Sequence, residues 1–162
     1  MVFPMFWLWS GQTMFYNRFS QYLRRPELFM LPQMFLFILM TASLDFSFAH
    51  TYRIYLLCYL GLRMLTLLEY IYVGLYTEGH PRETSLLMFK MFLPGVLIPL
   101  SSYLFYGEWH YIIMYSGIAA DMIIPLFFSR RLKRSPINLP HLAERFGAFV
   151  LIAFGESLVS VT

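Results

Sequence analysis

Four ionisable residues lie deep inside apolar stretches of the chain: Arg63, Glu69, Asp121 and Glu156. A charge at membrane depth is costly, so such groups either pair with one another or line a path for ions or protons. Arg63 and Glu69 share one stretch and are six residues apart. On a helix that spacing turns through about 240°, so they face different ways and each needs a partner on another helix. Asp121 sits in GIAADMIIP, next to Ser116, Gly117, Ala119 and Ala120. Small residues of that kind let a second helix come close. Arg63 and Asp121 are natural candidates for a buried pair, which would either fix helix register or stand on a transport path.

Glu156 has no such simple account. The ten residues between Arg145 and Glu156, FGAFVLIAFG, are all apolar or glycine. Glu156 would lie about 18 Å along a helix from Glu144, beyond the reach of capping or snorkelling. Gly155 and Ser157 flank it and leave room for a neighbouring helix or for water. A carboxylate in that setting suits proton or cation handling. At the other end of the segment, His141 and Arg145 are four residues apart and share a helix face, with Glu144 beside them. Glu144 in a first turn favours the positive end of the helix dipole, and Arg145 can extend to headgroups. A helix entrance explains these three residues without any further role.

Catalytic chemistry finds little support. Of the four histidines, no two have the spacing of a helical ligand pair, so no metal site is expected. Asp45, His50, Glu108 and His110 are the one set that could gather at an interface as an enzyme site. There is no nucleophilic triad pattern, phosphate loop or nucleotide fingerprint, so neither an enzyme nor a cofactor is expected. Cys58 stands alone, which excludes an internal disulfide and a cysteine zinc site.

These residues must be held by membrane helices. The chain is 59% hydrophobic and 13% charged, against about 25% charged in a soluble domain. Apolar runs cover about 2–16, 28–48, 54–76, 86–106 and 109–128, and a sixth starts near 141. Roughly 20 apolar residues cross a bilayer as a helix, and a barrel strand would need alternation that these runs lack. The first run is short for a span. The fold class is therefore all-α, a polytopic transmembrane bundle of about five to six membrane helices. Pro94, Gly95 and Pro99 in FLPGVLIPL should bend the fourth helix.

Charge orients the bundle. The loops 17–27, 77–85 and 129–140 hold eight basic residues, and the intervening loops hold only Arg53. The positive-inside rule places those three loops in the cytoplasm and the N-terminus outside. Basic residues are scattered at span ends rather than striped along one face, so no nucleic-acid partner is expected.

Two blocks carry a family likeness. HLAERFGAFVLIAFGES resembles a His-x-x-Glu-Arg-Phe-Gly…Gly-Glu-Ser signature, here His141, Glu144, Arg145, Phe146, Gly147, Gly155, Glu156 and Ser157. FWLWSGQTMFYNRF resembles a Trp-rich segment ending in Asn-Arg-Phe, here Asn17, Arg18 and Phe19. Both patterns are those of the bacterial low temperature requirement A (LtrA) family, which the chain resembles over essentially all of residues 1–162. The resemblance implies a multi-pass cell-membrane protein associated with growth at low temperature. Family members usually carry an earlier pair of spans with a Glu-Leu-Phe-Phe-Asp-Leu-Val-like motif, and continue past Gly-Glu-Ser. The chain is therefore expected to be one partial LtrA-like domain whose partners are the lipid bilayer and either the remaining helices of a longer chain or a partner subunit. An ion- or proton-coupled transporter or channel-like role, with an ion or small solute as ligand, is the leading expectation. A non-transporting scaffold or bilayer-support protein is the alternative. The two differ in whether the buried charges converge on a cavity or pair off in a dry interface.

Overall fold

The computed structural model describes residues 2–43, 48–105, 109–127 and 142–151, and every regular element among them is helical. The α-helices are α1 (Val2–Phe19), α2 (Glu27–Ala42), α3 (Phe48–Tyr76), α4 (His80–Phe92), α5 (Pro94–Ser101) and α6 (Trp109–Phe127). A further helix, α7, covers 142–151. Short 3-10 turns extend α1 and α5 at Ser20–Tyr22 and Ser102–Leu104.

The 29-residue α3 is the spine. At 1.5 Å per residue it is about 44 Å long, more than a bilayer core. It touches α1, α2, α4 and α5, and α6 packs on α5 and α4. The turn from α3 to α4 is made by Gly79, whose φ of 70° lies in the left-handed region open to glycine. Pro81 then falls in the first turn of α4, where its missing N–H costs nothing. The start of α4 at His80 takes in residues 80–85, expected as part of a loop. Buried Ser85 explains part of this, since its hydroxyl donates to the Tyr70 carbonyl and ties α4 to α3.

The fourth run bends without separating. Leu93 keeps helical dihedrals, its N–H reaches the Phe89 carbonyl, and Val96 and Leu97 both donate to the Leu93 carbonyl at 3.1 Å. Pro94 interrupts the ladder and redirects α5 against α6. The approach there is close: a Cβ on Gly95 would fall onto the Asp121 carboxylate, and one on Gly117 onto the Pro99 ring. Gly95→Ala is expected to destabilise the bundle by about 1–3 kcal/mol through overpacking. Thermal unfolding in detergent, followed by helical circular dichroism, checks this.

Burial departs from that of a water-soluble bundle on the outer face and at a few polar positions inside. Leu28, Leu31, Met34, Phe35 and Ile38 of α2 are each at least 60% exposed, while Arg63, Glu69 and Asp121 are at most 2% exposed. Apolar surface facing outward around a polar centre is the arrangement that lipid as solvent favours. Residues 51–76 and 80–104 are long and apolar enough to cross a membrane, and the 16-residue α2 is apolar but shorter. An aromatic core locks α1 to α3 and α4, with Phe15, Phe19 and Phe92 packed around Tyr70 at centroid distances of 4.8–5.9 Å.

Candidate intramembrane polar site

Arg63 of α3 and Asp121 of α6 form an ion pair at the point where five helices meet. Gly95 of α5 gives the carboxylate its space, and a Cβ on Gly11 of α1 would meet the guanidinium at ordinary contact distance. Trp7 of α1 lies beside Asp121. The Arg63 guanidinium carbon sits 5.4 Å from the Phe92 ring centre and 6.0 Å from that of Tyr59, so aromatic faces share the positive charge. The pair is enclosed by protein, its side chains 2% and 0% exposed.

Glu69, six residues further along α3, is different. It is fully buried, yet no cation pairs with it among the described residues. Neutral donors hold it instead. The Tyr16 hydroxyl donates to Oε1 at 2.8 Å, and the Gln12 amide donates to Oε2 at 2.8 Å and Oε1 at 3.1 Å. Gln12 also donates to Gln33 Oε1 at 2.7 Å and accepts from Thr66 Oγ1 at 3.1 Å. The Thr66 proton has a second acceptor in the Leu62 carbonyl at 3.0 Å. The Gln33 Nε2 group is buried without a hydrogen bond. Gln12 is thus the hub of a network drawn from α1, α2 and α3.

Gln12, Tyr16, Gln33 and Thr66 also line a cavity of about 460 Å³ between α1, α2 and α3. Its rim includes Arg145 of α7. Neither Arg63, Asp121 nor Glu69 lines it, so Glu69 communicates with the cavity through Gln12 and Tyr16. The helix α7 is set against α1 by aromatic contacts: Trp9 packs on Phe146 at 5.2 Å and on Phe149 at 4.4 Å, and Phe6 on Phe149 at 5.4 Å. Higher numbers on one helix meet lower numbers on the other, so the two run antiparallel.

The family-motif residues divide accordingly. Phe19 is in the aromatic core, Arg18 is half-buried beside Tyr70, and Asn17 is half-buried. Glu144, Arg145 and Gly147 are exposed on α7, and Phe146 packs against Trp9. His141, Gly155, Glu156 and Ser157 lie outside the described residues, as do Asp45 and Glu108. His110 stacks near Tyr52, whose hydroxyl donates to the His110 carbonyl at 3.2 Å. Among the described residues no three His, Cys, Asp or Glu side chains gather as a metal site.

Gln12, Gln33, Tyr16 and Thr66 did not stand out in the sequence. A neutral amide in the middle of an apolar run, as in LFMLPQMFLF, is the signal that could have drawn attention to Gln33. Searches of curated proteins and of solved structures returned no match to the chain. The model of the bacterial low temperature requirement A protein (LtrA) matches residues 1–162. With both motif blocks inside that match and an all-helical, lipid-adapted fold around them, the chain belongs to the LtrA family of membrane proteins.

Proposed function

We propose that the protein is a proton-handling membrane transport protein whose working acid is Glu69. The observation that carries this is a fully buried carboxylate that, among the described residues, has neutral donors in place of a cation and lies one hydrogen bond away from a cavity. An intramembrane acid left without a counter-charge is a site for a proton or a cation. Asp121, by contrast, is matched by Arg63 and serves packing.

Gln12 supplies the means of coupling. With Glu69 ionised, the amide nitrogen faces the acid and the amide oxygen faces Thr66. A proton on Glu69 reverses what the acid needs, from a donor to an acceptor. Turning the Gln12 amide over then gives the protonated acid its acceptor, and turning Gln33 with it brings the unpaired Gln33 Nε2 to the Gln12 oxygen. The same turn presents the amide nitrogen to Thr66 Oγ1, whose own proton already has the Leu62 carbonyl as an alternative. One proton therefore selects between two hydrogen-bonded arrangements of the cavity floor.

Glu156, eleven residues beyond Arg145, is the second acid we assign to the path. The protein works in the cell membrane as a multi-pass bundle, with the segments 17–27, 77–85 and 129–140 on the cytoplasmic side, on the support of their basic charge. The test is proton flux into liposomes holding the purified chain, read with an internal pH dye. Glu69→Gln is expected to reduce flux to the protein-free background while helicity and elution volume stay unchanged. Flux equal to the parent protein would overturn the assignment and favour the second reading, a non-transporting scaffold, for which the enclosed Arg63–Asp121 pair is the supporting observation.

A further inference from the structure

The cavity beside Glu69 combines three features. Its floor carries amides and hydroxyls, including Gln12 and Gln33. Its walls are apolar, and two of them, Met34 and Ile38, are 60% and 65% exposed on the outward face of α2. Its rim carries the cation Arg145, which makes no ion pair with any described residue. At about 460 Å³ it falls within the roughly 300–1,000 Å³ of sites that hold small organic ligands.

Each feature narrows the occupant. Walls that continue into the lipid-facing surface admit a ligand sideways from the bilayer, so the ligand has an apolar body. An arginine fork at the rim pairs bidentately with a carboxylate or a phosphate through charge-assisted hydrogen bonds, and the smaller carboxylate leaves more of the cavity to an apolar body. The neutral floor can support the rest of such a headgroup. A cation would meet Arg145 as a like charge, and a wholly apolar molecule would leave the floor without partners.

We propose that this cavity binds a single-chain carboxylate amphiphile, with its headgroup between Arg145 and the Gln12–Gln33 floor and its chain along Met34 and Ile38. This rests on the transport reading only in making the amphiphile the solute coupled to Glu69; the binding itself does not require Glu69 to move a proton.

Trp9 lines the same cavity and reports on it. The purified full chain in nanodiscs of zwitterionic lipid is titrated with a brominated long-chain carboxylate, and the quenching lost in Trp9→Phe is taken as the cavity signal. Saturable quenching is expected. Arg145→Gln should weaken it about tenfold or more, the loss of about 1.4 kcal/mol or more from a charge-assisted contact. Arg145→Lys should recover part of the loss. The brominated alcohol of equal chain length should bind the parent protein about tenfold more weakly. Arg145 is exposed, so its replacement leaves the fold intact. A second cavity, bordered by Arg24 and Arg25, is the control for unspecific attraction to a basic surface. The double Arg24→Gln/Arg25→Gln variant should bind as the parent does.

Equal binding of alcohol and carboxylate would overturn the proposal and leave a lipid-filled groove. So would parent-like binding by Arg145→Gln, or a loss in the Arg24/Arg25 variant as large as that in Arg145→Gln. Glu69→Gln separates the two ideas. If it transports normally while carboxylate binding holds, the proton assignment fails and the ligand site stands. If it abolishes proton flux while no carboxylate binds, the ligand class fails and the proton assignment stands.

Discussion

Asp121→Asn is expected to destabilise the bundle by about 3–5 kcal/mol, the largest loss from any single substitution in this protein. The substitution hardly changes shape. What it removes is the carboxylate facing Arg63, whose side chain is 2% exposed and is enclosed between Tyr59 and Phe92, with Gly11 close by. An arginine at the meeting point of five helices cannot reach headgroups without dismantling the packing around it. Arg63→Met alone should be costly for the reciprocal reason, since it strands the acid against Gly95. The double variant Arg63→Met/Asp121→Leu removes both charges and is expected to recover most of the stability. Chemical unfolding in detergent micelles gives all four corners of the cycle. A double variant no more stable than either single one would show that the charges do more than neutralise each other. Asp121→Asn within about 0.5 kcal/mol of the parent, the range of ordinary surface substitutions, would remove the pair from its structural role.

Much of this centre is legible from residue type and position. Two unlike charges at mid-span, one among small residues, have few other ways to be neutralised, which makes Arg63 and Asp121 a natural pair. The helical class follows from the length and apolarity of the runs. The bend at Leu93 follows from Pro94. What the residues could not reveal is which polar groups surround Glu69. Its partners Gln12 and Tyr16 lie 57 and 53 positions away on α1, and Gln33, which accepts from Gln12, lies on α2. Neutral amides and tyrosines carry no charge pattern, so only the packing of α1 and α2 against α3 brings them together. Helix starts are also poorly marked. His80 and Arg82 read as loop because they are polar, yet Gly79 and Pro81 begin α4 there. Arg145 reads as a helix entrance, and only the antiparallel packing of α7 on α1 turns it toward a cavity.

Gln12→Leu is expected to produce the second large loss, and a pair of variants separates its structural from its coupling role. Leucine removes the donor shared by Glu69 and Gln33 and leaves both acceptors buried without it. Each unsatisfied group costs about 1–3 kcal/mol, so stability should fall by at least that much and proton flux should fall with it. A loss of flux in so disrupted a site says little by itself. Thr66→Val is the sharper test, because it keeps the shape and leaves every bond to Glu69 in place. Its hydroxyl shares a single proton between Gln12 and the Leu62 carbonyl, so stability should stay within about 1 kcal/mol of the parent. The turned-over amide, however, needs Thr66 Oγ1 as the acceptor for its nitrogen. Valine also takes the shared proton from the Gln12 oxygen, a weakly held acceptor, in the present arrangement, but in the turned arrangement it strands a buried donor outright. With a net difference of about 1–2 kcal/mol between the two, the turned state becomes roughly five- to thirtyfold rarer. Proton flux through Thr66→Val should drop by a similar factor in a folded protein. Parent-like flux in that variant, with Glu69→Gln inactive, would keep Glu69 as the acid and rule out the Gln12 amide as the element that responds to it.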